Sequence, residues 1–377
     1  MRRIQVLFDR ADRQFRFGDE VTGRVAIDPG ADFRCRKVEI TYAWRTHGKG
    51  DRDKGSEDPL ELTGPISFRK GERKDFPFRF KPPVGPVTYH GHHLNVDWYV
   101  TASAVYDIGT VLQGEEDFLL LAGEPAPAMV LGNREIFLDD LPPWPPQELP
   151  PRQGFQELNA DGPAQKSARQ RIMDVLSVLW ISSIVGALVW AIEFHGPSAA
   201  WRYAIMSFLA GIVVSAIVHN AYKRKLELGE LWVRPDILYA GSQVKCHLDF
   251  RIKREVFLHK IEASICAEER VSYTSGTTSV TEKHVLSRKG FVKTLNEQLS
   301  GGRQISFECS LPVQADGPPT FESPHNVLEW AVEFRVDLGH WPGLTRRIPI
   351  TVLPGGPFGR WHEKDPHTTS NQALNPS

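Results

Sequence analysis

The chain has 377 residues, 45 Lys and Arg against 46 Asp and Glu, and a formal charge of −1. So even a balance supplies no basic stripe for a phosphate backbone, and no nucleic acid is expected as a partner. The four cysteines, Cys35, Cys246, Cys266 and Cys309, form no CxxC pair, which points to reduced thiols in strands rather than to a disulfide framework or a zinc knuckle. Length allows two or three domains. The N-terminal MRRIQVLFDRADRQF lacks the apolar core of a secretory signal, and none is expected.

Residues 1–123 alternate apolar and polar in short runs. Val21, Gly23, Val25 and Ile27 share one parity, as do Val38, Ile40, Tyr42 and Trp44, then Phe76, Phe78 and Phe80, then Val96, Trp98, Val100, Ala102 and Ala104. Period-two alternation means strands with one buried face. Phe17-Gly18-Asp19, Asp28-Pro29-Gly30 and Lys70-Gly71-Glu72 break the runs as turns, the pattern of an antiparallel sandwich. Residues 124–170 are rich in proline and acid, including PPWPP, and read as an extended linker.

Residues 171–222 are expected to form a transmembrane helical hairpin, with helices at about 172–194 and 203–222. The uncharged run 175–192 would cover about 27 Å as a helix, close to the roughly 30 Å of a bilayer core. Lys166, Arg169 and Arg171 precede the hairpin and Lys223, Arg224 and Lys225 follow it, while the loop carries only Arg202. The positive-inside rule then makes the chain an integral, two-span protein of the plasma membrane with both flanking segments cytoplasmic. Ser207, Gly211 and Ser215 form a small-residue ladder suited to helix packing.

Residues 226–355 return to alternation: Val244, Cys246, Leu248 and Phe250; Ile261, Ala263 and Ile265; Ile305, Phe307, Cys309 and Leu311; then Leu328 through Leu338 on one parity. The polar tail 356–377 is expected to be disordered. The two segments match in order. Gly18 to Val21 align with Gly241 to Val244, and Lys37-Val38-Glu39 with Lys260-Ile261-Glu262, both at an offset of 223. Gly85 to Thr88 align with Gly317 to Thr320, and Trp98 with Trp330, at an offset of 232. The step from 223 to 232 is a net nine-residue insertion, falling in the polar stretch RVSYTSGTTSVTEKHVLSRKG, and the whole reads as one duplicated domain.

These motifs resemble the arrestin fold: GDEVTGRV at 18–25, the third strand at 35–44, and the proline-rich turn and long strand at 82–100, with weaker copies at 241–248, 260–265 and 312–332. The resemblance implies an all-β chain of two tandem, related immunoglobulin-like antiparallel β-sandwiches, separated here by the helical hairpin as in membrane-anchored bacterial arrestin-like proteins. It also implies an interaction scaffold without catalysis. The PPxY tail motif of alpha-arrestins is absent, and no charged polar core can be assigned residue by residue.

Two constellations stand out. Tyr89-His90-Gly91-His92-His93 could ligate a metal, with His90 and His92 on one face if extended. The glycine-spaced basic run holding Arg45, His47, Lys49 and Arg52 could bind an anion or a partner, although Asp51 and Asp53 interleave. No GxSxG, HExxH or strand-linked GxGxxG occurs, so neither catalysis nor a cofactor is expected. The expectation is a membrane-anchored scaffold for an unidentified protein partner, with homo-oligomerisation open. The alternatives are a metal- or ligand-binding sensor built on residues 90–93, or an accessory subunit of a membrane transport or secretion complex.

Overall fold

The computed structural model describes residues 3–55, 58–83, 85–106, 111–122, 129–131, 134–136, 156–159, 206, 221–315, 317–339 and 341–354. The first unit contains β1 (Arg3–Phe8), β2 (Gln14–Arg16), β3 (Val21–Asp28), β4 (Phe33–Cys35), β5 (Lys37–Gly48), β6 (Asp58–Thr63), β7 (Ile66–Phe68), β8 (Lys74–Phe80), β9 (Tyr89–His90), β10 (Leu94–Val105) and β11 (Val111–Leu121). Then come β12 (Met129–Leu131), β13 (Arg134–Ile136) and β14 (Gln156–Asn159). The second unit contains β15 (Leu226–Arg234), β16 (Ile237–Tyr239), β17 (Gln243–Ile252), β18 (Val256–Ser275), β19 (Thr278–Leu299), β20 (Gln304–Pro312), β21 (Phe321–Glu322), β22 (Asn326–Leu338) and β23 (Trp341–Leu353).

Each unit is a two-sheet sandwich. In the first, β1-β3-β8 faces β2-β11-β10-β5-β6, with β9 added beside β10 and a small β4-β7 pair of its own. In the second, β15-β17-β20 faces β16-β23-β22-β18-β19, with β21 beside β22 and β14 at the outer edge of β19. The alternation explains the packing. Val21, Val25, Ile27, Phe78 and Phe80 from the small sheet meet Val38, Ile40, Trp98, Val100 and Phe118 from the large one in one apolar cluster. A second cluster does the same around Trp330, Val332 and Phe334, and it takes in Tyr89, Leu94 and Val96 of the first sandwich. The two cores therefore meet.

The duplication holds at the level of single hydrogen bonds. Trp98 Nε1 donates to the Pro86 carbonyl at 2.8 Å, and Trp330 Nε1 to that of Pro318 at 2.6 Å. Thr88 N donates to Leu120 O at 2.8 Å while its hydroxyl accepts from Leu120 N at 2.9 Å. Thr320 and Val352 repeat both bonds at 2.7 and 2.9 Å. Gly18 and Gly241 both sit at positive φ, 89° and 84°, in the turn before the third strand of each unit, where a side chain would be strained.

The helical hairpin expected at 171–222 is corrected. No helix among the described residues is long and apolar enough to cross a membrane. The two expected spans lie almost wholly outside the described residues, which resume at the 3-10 turn Ala221–Arg224. An apolar run is only a candidate span; crossing needs a continuous helix that satisfies its own backbone groups, and the described chain is almost all strand and loop. Among the described residues the fold class is all-β without that hairpin, and no described helix supports integral two-span placement in the plasma membrane. Ser207, Gly211 and Ser215, and the tail 356–377, lie outside the described residues.

Candidate functional site

The inserted stretch lengthens the β18–β19 hairpin. β18 pairs with β22 only as far as Val271, whereas its pairing with β19 continues to Ser275 and Thr278. The extra length reaches the first sandwich. Asp51 N donates to Ser272 O at 2.9 Å, Thr274 N donates to the Asp51 carboxylate at 3.1 Å, and Lys49 Nζ meets Glu282 at 2.5 Å.

Two buried carboxylates organise the seam, one from each sandwich. Glu269 of β18 is fully buried. It accepts hydrogen bonds from Tyr89 OH at 2.5 Å, His92 N at 3.0 Å and His93 N at 2.8 Å. Asp53 accepts from Ser323 Oγ at 2.6 Å, His325 N at 2.9 Å and Asn326 Nδ2 at 2.8 Å, and its other oxygen lies 2.7 Å from His325 Nδ1. The donors lie in corresponding turns: residues 90–93 align with 322–325 at the offset of 232, so His93 and His325 are equivalent. Each sandwich thus caps a carboxylate of the other with the same turn. At Gly91 a Cβ would fall 1.7 Å from Glu269 Oε1, so only glycine lets the turn approach this closely.

Charge follows this geometry. Burial opposes ionisation of Asp53, but the bonds from Ser323, His325 and Asn326 outweigh it and hold the carboxyl below its ordinary value. The bond to Asp53 raises His325. Burial and donation to Glu269 push the Tyr89 phenol far up.

Beside Glu269, three imidazoles gather. His92 and His93 come from the β9–β10 turn and His284 from β19, with His92 and His284 stacked at 4.1 Å between ring centroids. One ligand atom from each lies within 4.8 Å of the others. Burial and then the neighbouring His92 lower the His284 pKa. His90 is not in this group: its Nε2 lies 2.6 Å from Asp97 Oδ1, a bond that raises its pKa.

The basic residues singled out from the sequence do not converge. Arg45 donates to Glu115 at 2.7 Å and His47 Nε2 lies 2.7 Å from Tyr99 OH, both on the outer face of the large sheet. Lys49 turns to Glu282, and Arg52 is exposed. Sequence reasoning missed Glu269, His284, His325 and Asn326. A signal existed for two of them: Glu269 and Asn326 occupy the inward parity of Ile261 to Ala267 and of Leu328 to Leu338, where the alternation calls for apolar side chains.

No protein-family model and no curated protein matches the chain.

Proposed function

We propose that the chain is a binding scaffold of the arrestin-like kind, which engages a protein partner through a strand edge and performs no catalysis of its own. The carrying observation is β14. Gln156–Asn159 pairs antiparallel with β19, from Gln156 with Val292 to Asn159 with Lys289, as an added strand. An edge that accepts an extended segment of its own chain has the backbone geometry to accept one from another protein. β19 runs for 22 residues, and among the described residues no other strand pairs with its outer edge. The reciprocal seam supports the reading too, since it gives the two sandwiches a defined orientation toward a shared target.

The test places a photoreactive amino acid at Val285, which is 49% exposed on β19, and in a separate variant at Phe257, 40% exposed on β18. The expected result in cells is a discrete protein adduct at Val285 and none at Phe257. Adducts at neither position, or equally at both, would overturn the proposal.

A further inference from the structure

We propose that His92, His93 and His284 form a Zn²⁺ site that bridges the two sandwiches. Three neutral imidazoles with a remaining open position make up a known zinc ligand set. Tetrahedral zinc with ligands at about 2.0–2.1 Å needs nitrogens about 3.4 Å apart. The three groups already lie within 4.8 Å, so side-chain rotation closes the set without moving either sheet.

The backbone beneath is fixed. The amides of His92 and His93 both donate to buried Glu269, which orders the turn that presents their rings. Preorganisation of this kind lowers the cost of assembling a site. Glu282 lies 4.0 Å from His93 Nε2 and is itself held by Lys49 and Tyr273, where a carboxylate can orient a ligating ring. His284 comes from the opposite sandwich, so binding is linked to the seam being closed.

A second group of metal-type side chains, Glu230, His247 and Asp249, does not share these features. His247 directs one ring nitrogen at Asp249, 3.2 Å away, and the other at Glu308, 3.1 Å away. That ring is placed between two carboxylates and has no nitrogen left facing an open position.

The experiment uses the full chain, stripped of metal by chelator, and titrates Zn²⁺ against a chromophoric chelator. One Zn²⁺ per chain is expected, with Co²⁺ giving the visible absorption of a four-coordinate ion. His284→Ala and His92→Ala should each weaken binding by about a hundredfold or more, whereas His90→Ala should bind as the wild type does. Zn²⁺ should also raise the unfolding midpoint of the wild type and leave that of His284→Ala unchanged. If His284→Ala does not fold, His284→Gln takes its place. Absence of stoichiometric binding, or equal affinity in the His284 variant, would overturn the proposal.

Discussion

The two sandwiches share their wiring and differ where they meet. The Trp–Pro bond, the threonine latch and the positive-φ turn recur at fixed offsets. The outer face keeps a pair but reverses its charges. Arg45 and Glu115 of the first sandwich lie 2.7 Å apart, and the equivalent positions hold Glu268 and Arg347, 3.1 Å apart. Among the described residues, only the second unit has the long hairpin. Features that close a turn or fill the core are tied to one chemistry, an outer-face pair is tied only to complementarity, and the added length is what creates contact between the copies.

The largest effect tests the shared wiring. Trp98 and Trp330 are both buried, each anchored on a proline carbonyl. Replacing either with alanine should cost about 3–5 kcal/mol of its own sandwich's stability, measured by denaturant unfolding. A cost below about 1 kcal/mol at one site alone would break the equivalence.

The next effect tests the seam. Glu269→Ala leaves the Tyr89 hydroxyl and two backbone amides without their acceptor, a loss on the order of 3 kcal/mol. A double-mutant cycle of Glu269→Ala with Tyr89→Phe should show clear coupling across the sandwiches. Additive effects would mean that the Tyr89–Glu269 bond does not tie the two units together.

Much of the fold was legible because strands with one wet face write their geometry as alternation. Val96, Trp98 and Val100 needed no structure to be placed inward, and the offsets from Gly18 to Gly241 and from Trp98 to Trp330 exposed the duplication. The site was less legible. His92 and His93 are adjacent in sequence, but His284 reaches them only through the inserted hairpin. Pairing partners in an antiparallel ribbon depend on register, which composition does not specify. The hairpin expected at 171–222 rests on hydropathy alone, and no helix among the described residues is long and apolar enough to cross a membrane.

A smaller effect comes from pH. His325 is raised above its ordinary 6.5 by Asp53, so its contribution is complete below about 6.5 and is lost as pH rises through the raised value. Asp53 is lowered from 3.8, so its contribution is complete above about 4 and is lost as pH falls through the lowered value. The seam should be strongest between the two. Unfolding midpoints measured from about pH 4 to 9 should decline on the alkaline side in the wild type, and His325→Gln should reduce that decline, leaving the part that comes from His90 and His247, which their carboxylate partners also raise.

The smallest effect separates the charge-reversed pairs. Arg45 and Glu115 are 30% and 39% exposed, so their coupling in a double-mutant cycle should be about 0.2–1 kcal/mol and should fall with salt. Glu268 is only 8% exposed and also meets Lys283 at 3.1 Å. Burial works against its ionisation, and Lys283 and Arg347 outweigh that cost. Its coupling to Arg347 should therefore exceed that of the first pair and resist salt, because less solvent lies between the charges. Exchanging the charges, with Arg45→Glu and Glu115→Arg together, should restore most of the stability that either change removes alone. If the exchange fails in the first sandwich, the reversed pair reflects a specific environment at each site rather than complementarity alone.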